Sequence, residues 1–179
     1  MFIFLGACDS KKTKVESTQS SADSLNNKVS DLLSSMSVEE KVGQMTQIDI
    51  RNLLTNGYAN TDETLDTAKL NEAINKYHVG SLLNCIKAYT PERWQLLINQ
   101  IQREAQKTPH KIPILYGTDA VHGVGFIKNS ILFPHNIGMA ATRNNNLVAQ
   151  AAHITAVEAR AVGLTWNFAP VFDVGREPY

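Results

Sequence analysis

An aspartate and a histidine three residues apart sit in the stretch Gly117-Thr118-Asp119-Ala120-Val121-His122-Gly123. An ionised Asp119 offers two acceptor oxygens, enough to take hydrogen bonds from two neighbouring hydroxyls of a ligand. On its residues alone, Asp119 could equally be an ordinary loop acid or a helix cap. Asp119 and His122 could be read as a D-x-x-H metal pair, but zinc needs three or four convergent ligands. No further His or Cys converges on the pair, so His122 is expected to hydrogen-bond within the loop and shape it. His135, after Phe133-Pro134, is expected to be a satisfied buried histidine. Asp173 and Glu177 lie near the end of the chain, and by residue type they could form a carboxylate pair. Cys85, after Leu82-Leu83-Asn84, is expected to be a buried small apolar residue and not a nucleophile.

These groups need elements to position them. Ser37-Val38-Glu39-Glu40 has the capping-box pattern and predicts a short helix to about Gly43. Gln44 to Ile50 alternates loosely and predicts a first strand, followed by a polar loop from Arg51 to Thr64 with Asn56-Gly57. Leu70, Ala73, Ile74 and Tyr77 recur at helical spacing over Asp66 to Tyr77. Val79 to Asn84 predicts a second strand. Thr90-Pro91-Glu92 starts a helix, with Trp94, Leu97, Ile98, Ile101 and Ala105 on its apolar face. The apolar run Ile112 to Tyr116 predicts a third strand, which puts Asp119 just past its C-terminal end. Asn144 caps an alanine-rich helix from about Asn145 to Val162, ended by Gly163, and Leu164 to Phe168 predicts a fourth strand with Trp166 in the core. The alanines are expected to suit close packing on a sheet. Repeated strand–helix units imply an α/β fold with a parallel sheet. A closed barrel of eight units takes about 250 residues, so four strands in this length read as the N-terminal half of a (β/α)8-type, TIM-like barrel, truncated. In such folds sites are built from the loops at the C-terminal strand ends.

The 179 residues are 43% hydrophobic, enough for a core, and their 17 basic and 17 acidic residues cancel. No basic patch suited to phosphates is present, so nucleic acid is not expected as a partner. Nothing after residue 8 approaches the roughly 20 apolar residues of a spanning helix. The start, MFIFLGAC, resembles a bacterial lipoprotein lipobox, although no Lys or Arg precedes Phe2 and the apolar stretch is short. That resemblance implies residues 1–8 as a signal remnant, lipid attachment at Cys8 and a membrane partner through the anchor. Residues 9–30 are polar and are expected to form a flexible tether, with the folded domain over 31–179.

Four stretches resemble glycoside hydrolase family 3, its β-glucosidase branch: KVGQMTQ at 41–47, GTDAVHG at 117–123, FPHNIGMAATRN at 133–144 and TWNFAPVFDVGREPY at 165–179. The resemblance runs in the family's order from about Asp31 to Tyr179. It implies the first part of the barrel domain of an enzyme that hydrolyses β-linked glucose with retention, using two carboxyl groups and no metal cofactor. It also implies a β-linked glucoside or oligosaccharide substrate, with β-xylosides or a purely sugar-binding lipoprotein as alternatives. Asp119 matches the family's aspartate that binds glycone hydroxyls and is the substrate-binding residue implied here. The family's nucleophile and acid/base fall in later sequence, so no catalytic residue is expected within these residues. They are expected to be inactive alone and to need the C-terminal remainder of the same chain. Asp173 and Glu177 are accordingly set aside as a catalytic pair, Arg176 is given no substrate role, and Arg143, Glu158 and Arg160 read as scaffold charges. The implied location is periplasmic or membrane-anchored in a bacterium.

Overall fold

The computed structural model describes the backbone of residues 12–55, 64–85 and 87–172, and side chains from residue 23 on. Cys8 and its flanking lipobox, Asn56-Gly57, Asp173, Arg176, Glu177 and Tyr179 lie outside the described residues. Two compact units make up the chain, Met1–Val38 and Glu39–Tyr179.

The first unit is built on a helix, α1, Lys12–Ser35. A flexible polar tether was expected over residues 9–30, and the chain is helical from Lys12 on. Low hydrophobicity argues against a packed core, not against a helix. No Gly or Pro interrupts the segment, and it is supplied with Lys, Leu, Gln, Glu and Ala, all good helix formers. Residues 23–35 are exposed, consistent with a helix that forms on local preference. Among the described residues no helix is long and apolar enough to cross a membrane.

In the second unit, α2 (Val38–Gln44) leads into β1 (Gln47–Asp49). Ile50–Leu53 then forms a 3-10 turn capped by Asp49. Leu53, at the end of this turn, and Leu54 after it are buried, so the segment expected as polar loop contributes to the core. The helix α3 (Thr67–Asn71) continues as a π turn over Glu72–Lys76, and Asp66 caps it by accepting from the N–H groups of Ala68 and Lys69. Next come β2 (Ser81–Leu83), α4 (Pro91–Ala105) and β3 (Leu115–Thr118). A short helix not foreseen in the sequence, α5 (Asn136–Ala141), precedes α6 (Asn145–Ala161) and β4 (Trp166–Asn167).

The four strands form one sheet in the order β1-β2-β3-β4, each neighbour pair parallel. This is the expected α/β arrangement. The third strand lies about three residues later than the apolar run suggested. Pro113 carries no N–H for a ladder, and Ile114 is instead held by the Gln102 side chain of α4, which accepts from its N–H and donates to its carbonyl. On α4 the five expected apolar residues are all buried, with Thr90 accepting from the Arg93 N–H at the cap. Asn144 caps α6 as expected. Of the alanines on α6, only Ala151 and Ala159 are buried.

Candidate functional site

The sheet has two unlike faces. Strand alternation sets Ile48, Leu82 and Tyr116 on one of them, by register. Leu82 and Tyr116 are 0% and 1% exposed, and Trp94 of α4 meets Tyr116 edge-on at 5.5 Å. Helices therefore cover this side. The opposite side carries Gln47, Asp49, Ser81, Leu83, Leu115, Gly117 and Trp166, with Leu115 49% and Trp166 43% exposed. Trp166 was expected in the core. It lies instead on this second face and is half-exposed, edge to the Phe168 ring at 5.2 Å. Gly117 is required here because a Cβ would run into the Phe168 ring.

At the C-terminal end of β1 and β2, side chains knit the strands together. Asp49 accepts from the Arg51 backbone N–H at 2.8 Å and pairs with the Arg51 guanidinium through both carboxylate oxygens. Asn84 donates its amide to Asp49 Oδ2 at 2.7 Å. Burial pushes the Asp49 carboxyl up, but the hydrogen bonds from Arg51 and Asn84 outweigh it and hold the group below the usual carboxylate range. Asn84 sits in the left-handed region at φ 69°, a conformation that Asn tolerates better than most residues. Its carbonyl accepts from the Tyr116 hydroxyl at 2.7 Å. Burial raises the Tyr116 phenol well above its ordinary value, with Cys85, Tyr89 and Asp49 adding to the rise, so it stays a neutral donor. Cys85 is half-buried against the core, less enclosed than expected.

The end of β3 is built differently. Thr118 is buried, and its carbonyl accepts from the Phe168 N–H at 3.0 Å. Asp119 follows and is exposed. Its carboxylate takes no hydrogen bond from the described residues, so both oxygens face water or a ligand. Ala120 is buried again, with its N–H and carbonyl both bonded to the Asn167 side chain. Backbone groups of alternate residues, 118 and 120, thus point toward β4. Continuing the alternation of β3, Asp119 falls on the same side as Leu115 and Gly117.

The loop beyond Asp119 is anchored at several points. His122 Nδ1 lies 2.8 Å from the Phe133 carbonyl, and the Phe133 N–H returns to the His122 carbonyl at 2.8 Å. That is the loop-shaping contact expected of His122. His135 was expected to be buried. It is exposed at the start of α5, its ring 4.1 Å from that of His122. Trp94 donates its indole N–H to the Phe126 carbonyl at 2.8 Å, and Glu158 of α6 accepts from the Ile131 N–H. Among the described residues no group of three His, Cys, Asp or Glu side chains is placed to hold a metal ion. Asp49, Asn84 and Asn167 were not singled out from the sequence. Asp49 lay within an expected strand and Asn167 within a quoted motif, but their partners lie 35 and 47 residues away.

Comparison with known proteins places this arrangement. The profile described as "Glycosyl hydrolase family 3 N terminal domain" matches residues 37–179. A lysosomal beta glucosidase of Dictyostelium discoideum is 39% identical over 160 residues, 84% of this chain and 19% of that protein. A periplasmic beta-glucosidase of Salmonella typhimurium is 30% identical over 150 residues, 84% of this chain and 17% of that protein. Among solved structures, a glycoside hydrolase family 3 beta-N-acetylglucosaminidase from Paenibacillus superposes with a TM-score of 0.61 at 26% identity, over 76% of this chain and 24% of that one. The chain thus spans about a fifth of the length of the curated relatives it matches.

Proposed function

The chain belongs to glycoside hydrolase family 3, and we propose that it forms part of a retaining β-glucosidase that removes terminal, non-reducing β-linked glucose from β-glucosides or oligosaccharides. The observation that carries this reading is Asp119. It is an exposed carboxylate directly after the C-terminal end of a strand in a parallel sheet, and it accepts no hydrogen bond from the described residues. Two neighbouring sugar hydroxyls can donate to it. The names of the Dictyostelium and Salmonella relatives support glucose as the sugar. In this reading the four-stranded sheet is the opening of a (β/α)8-type barrel. The nucleophile and acid/base of the two-carboxylate reaction come from sequence outside residues 1–179, which therefore do not hydrolyse glucosides by themselves.

The N-terminus completes the proposal: lipidation at Cys8 tethers the enzyme to a bacterial membrane facing the periplasm, since an acylated cysteine with two or more chains anchors stably where one chain does not. Changing Cys8→Ser in the full-length protein should move it from the membrane to the soluble fraction; unchanged fractionation would remove the anchor.

The principal test is turnover by the full-length protein of aryl β-glucoside, β-xyloside and β-N-acetylglucosaminide, with NMR of the first-formed sugar. Glucoside preference with a β-configured product is expected. A faster xyloside would make it a β-xylosidase, and binding without turnover would make it a sugar-binding lipoprotein. N-acetylglucosaminide is expected to be poor. The loop at Asp119-Ala120-Val121-His122-Gly123 departs from the Asp-Gln-Glu-Gly-Gly type that the family resemblance implies for the hexosaminidase branch.

A further inference from the structure

We propose that Asn167 is a positioning residue for Asp119, acting as a side-chain extension of the β3–β4 ladder; this rests on the reading of Asp119 as the sugar contact. The regular ladder between these strands runs out at Thr118, whose carbonyl accepts from the Phe168 N–H at 3.0 Å. The next groups due to pair on β3 are those of Ala120, and no backbone group of β4 takes them. The Asn167 amide does so instead. Its Oδ1 accepts from the Ala120 N–H at 2.9 Å and its Nδ2 donates to the Ala120 carbonyl at 3.0 Å. A primary amide presents its oxygen and the N–H cis to it on one edge, so it can meet the N–H and the carbonyl of a single residue together. The reverse orientation would set NH2 against N–H and oxygen against oxygen, so the pairing itself fixes how the amide sits.

Asp119 stands between the two bonded positions. The carbonyl before it is tied to Phe168, and both backbone groups of the residue after it are tied to Asn167. The backbone torsions of Asp119, and with them the direction of its Cα–Cβ bond, are set by β4, while its carboxylate is left without a partner among the described residues. Few residues suit position 167. Aspartate offers only acceptors and would oppose the Ala120 carbonyl, serine cannot bridge both groups, and glutamine carries the amide one methylene too far. Removing the amide leaves Asp119 chemically intact but free to swing. A displacement on the order of 1 Å in a binding group can cost up to about a hundredfold in rate.

The test is a double-mutant cycle in the full-length enzyme, with kcat/KM on an aryl β-glucoside measured for Asn167→Ala, Asp119→Ala and the pair. Asn167→Ala alone should lower kcat/KM by about ten- to a hundredfold. In the Asp119→Ala background the same change should cost less than about twofold, because the group it positions is gone. A purely structural role would lower the thermal midpoint and cost the same factor in both backgrounds, and that result overturns the proposal. So does an Asn167→Ala enzyme within about twofold of the parent. If Asp119→Ala is itself harmless, the sugar-contact reading falls and takes this proposal with it. That outcome is seen in the single mutant and is distinct from an additive cycle, which defeats the clamp alone. Should Asn167→Ala not fold, Asn167→Asp keeps the shape and the acceptor for the Ala120 N–H. Its cycle with Asp119→Ala carries the same expectations and the same grounds for rejection.

Discussion

Asp49 and Asp119 are two carboxylates at the C-terminal ends of strands in one parallel sheet, and their surroundings are opposite. Asp49, at the end of β1, is 14% exposed in its side chain and is met by the Arg51 guanidinium, the Arg51 N–H and the Asn84 amide. Asp119, after β3, is exposed and accepts from no described residue, although the backbone on either side of it is tied down. A carboxylate whose oxygens are already occupied stabilises the fold and has little capacity left for a ligand. One held by its backbone alone keeps that capacity and contributes little to stability. A strand-end acid is thus not a site by position. What distinguishes the two is whether the protein uses the acceptor oxygens itself.

The comparison breaks most readily at Asp119. In the full-length enzyme Asp119→Ala should lower kcat/KM on an aryl β-glucoside by about 10²–10⁴, from two charged hydrogen bonds of about 1.5–3 kcal/mol each. Asp119→Asn, which replaces one acceptor by a donor, should be nearly as damaging, and both should melt with the parent. A loss below about tenfold in both variants would make Asp119 another loop residue.

Asp49→Ala should do the reverse. It removes the carboxylate that the Arg51 guanidinium and the Asn84 amide share and should cost about 2 kcal/mol of stability, read as a lower denaturant midpoint. Its kcat/KM should fall far less than that of Asp119→Ala. A stable, inactive Asp49→Ala enzyme would put Asp49 in the site and erase the contrast.

The same pair makes a pH prediction. Asp49 is held below its ordinary range in the folded protein. Its contribution to stability is therefore fully present above the unfolded carboxylate pKa and is lost as pH falls through the depressed folded value. Acid melts of the parent should show this loss, and Asp49→Asn should flatten it. Equal acid slopes in the two proteins would mean that the carboxylate does not carry the corner.

The smallest effect is expected at Tyr116→Phe. It removes only the hydroxyl that donates to the Asn84 carbonyl, keeps the ring against Trp94, and should cost about 1 kcal/mol. A change in kcat/KM as large as that of Asn167→Ala would show that the β1–β2 corner governs the Asp119 region after all.

Local signals in the chain were reliable where the physics is local. The caps at Thr90 and Asn144 and the apolar stripe of α4 are as read, because a cap and a stripe depend on residues within a few positions. Composition did not reveal α1, since polarity reports on packing and not on helix preference. The apolar run at Ile112 to Tyr116 pointed to the right strand but the wrong bounds, because Pro113 and the Gln102 clamp on Ile114 keep its first residues out of the ladder. Trp166 was misplaced for a related reason: a two-residue strand has no alternation long enough to say which face it presents.

The sequence by itself determined the order of the four strands and of the helices α2, α3, α4 and α6, hence a parallel sheet, and set Asp119 just beyond a strand end. Periodicity, caps and turn residues act over a turn or two of chain, so they survive in the sequence as patterns. Only the tertiary structure decided which strand-end carboxylate is occupied and which is open. Asp49 meets Asn84 from 35 residues away, and Ala120 meets Asn167 from 47. Those hydrogen bonds exist only once parallel pairing brings the strand ends side by side, and no spacing along the chain records them.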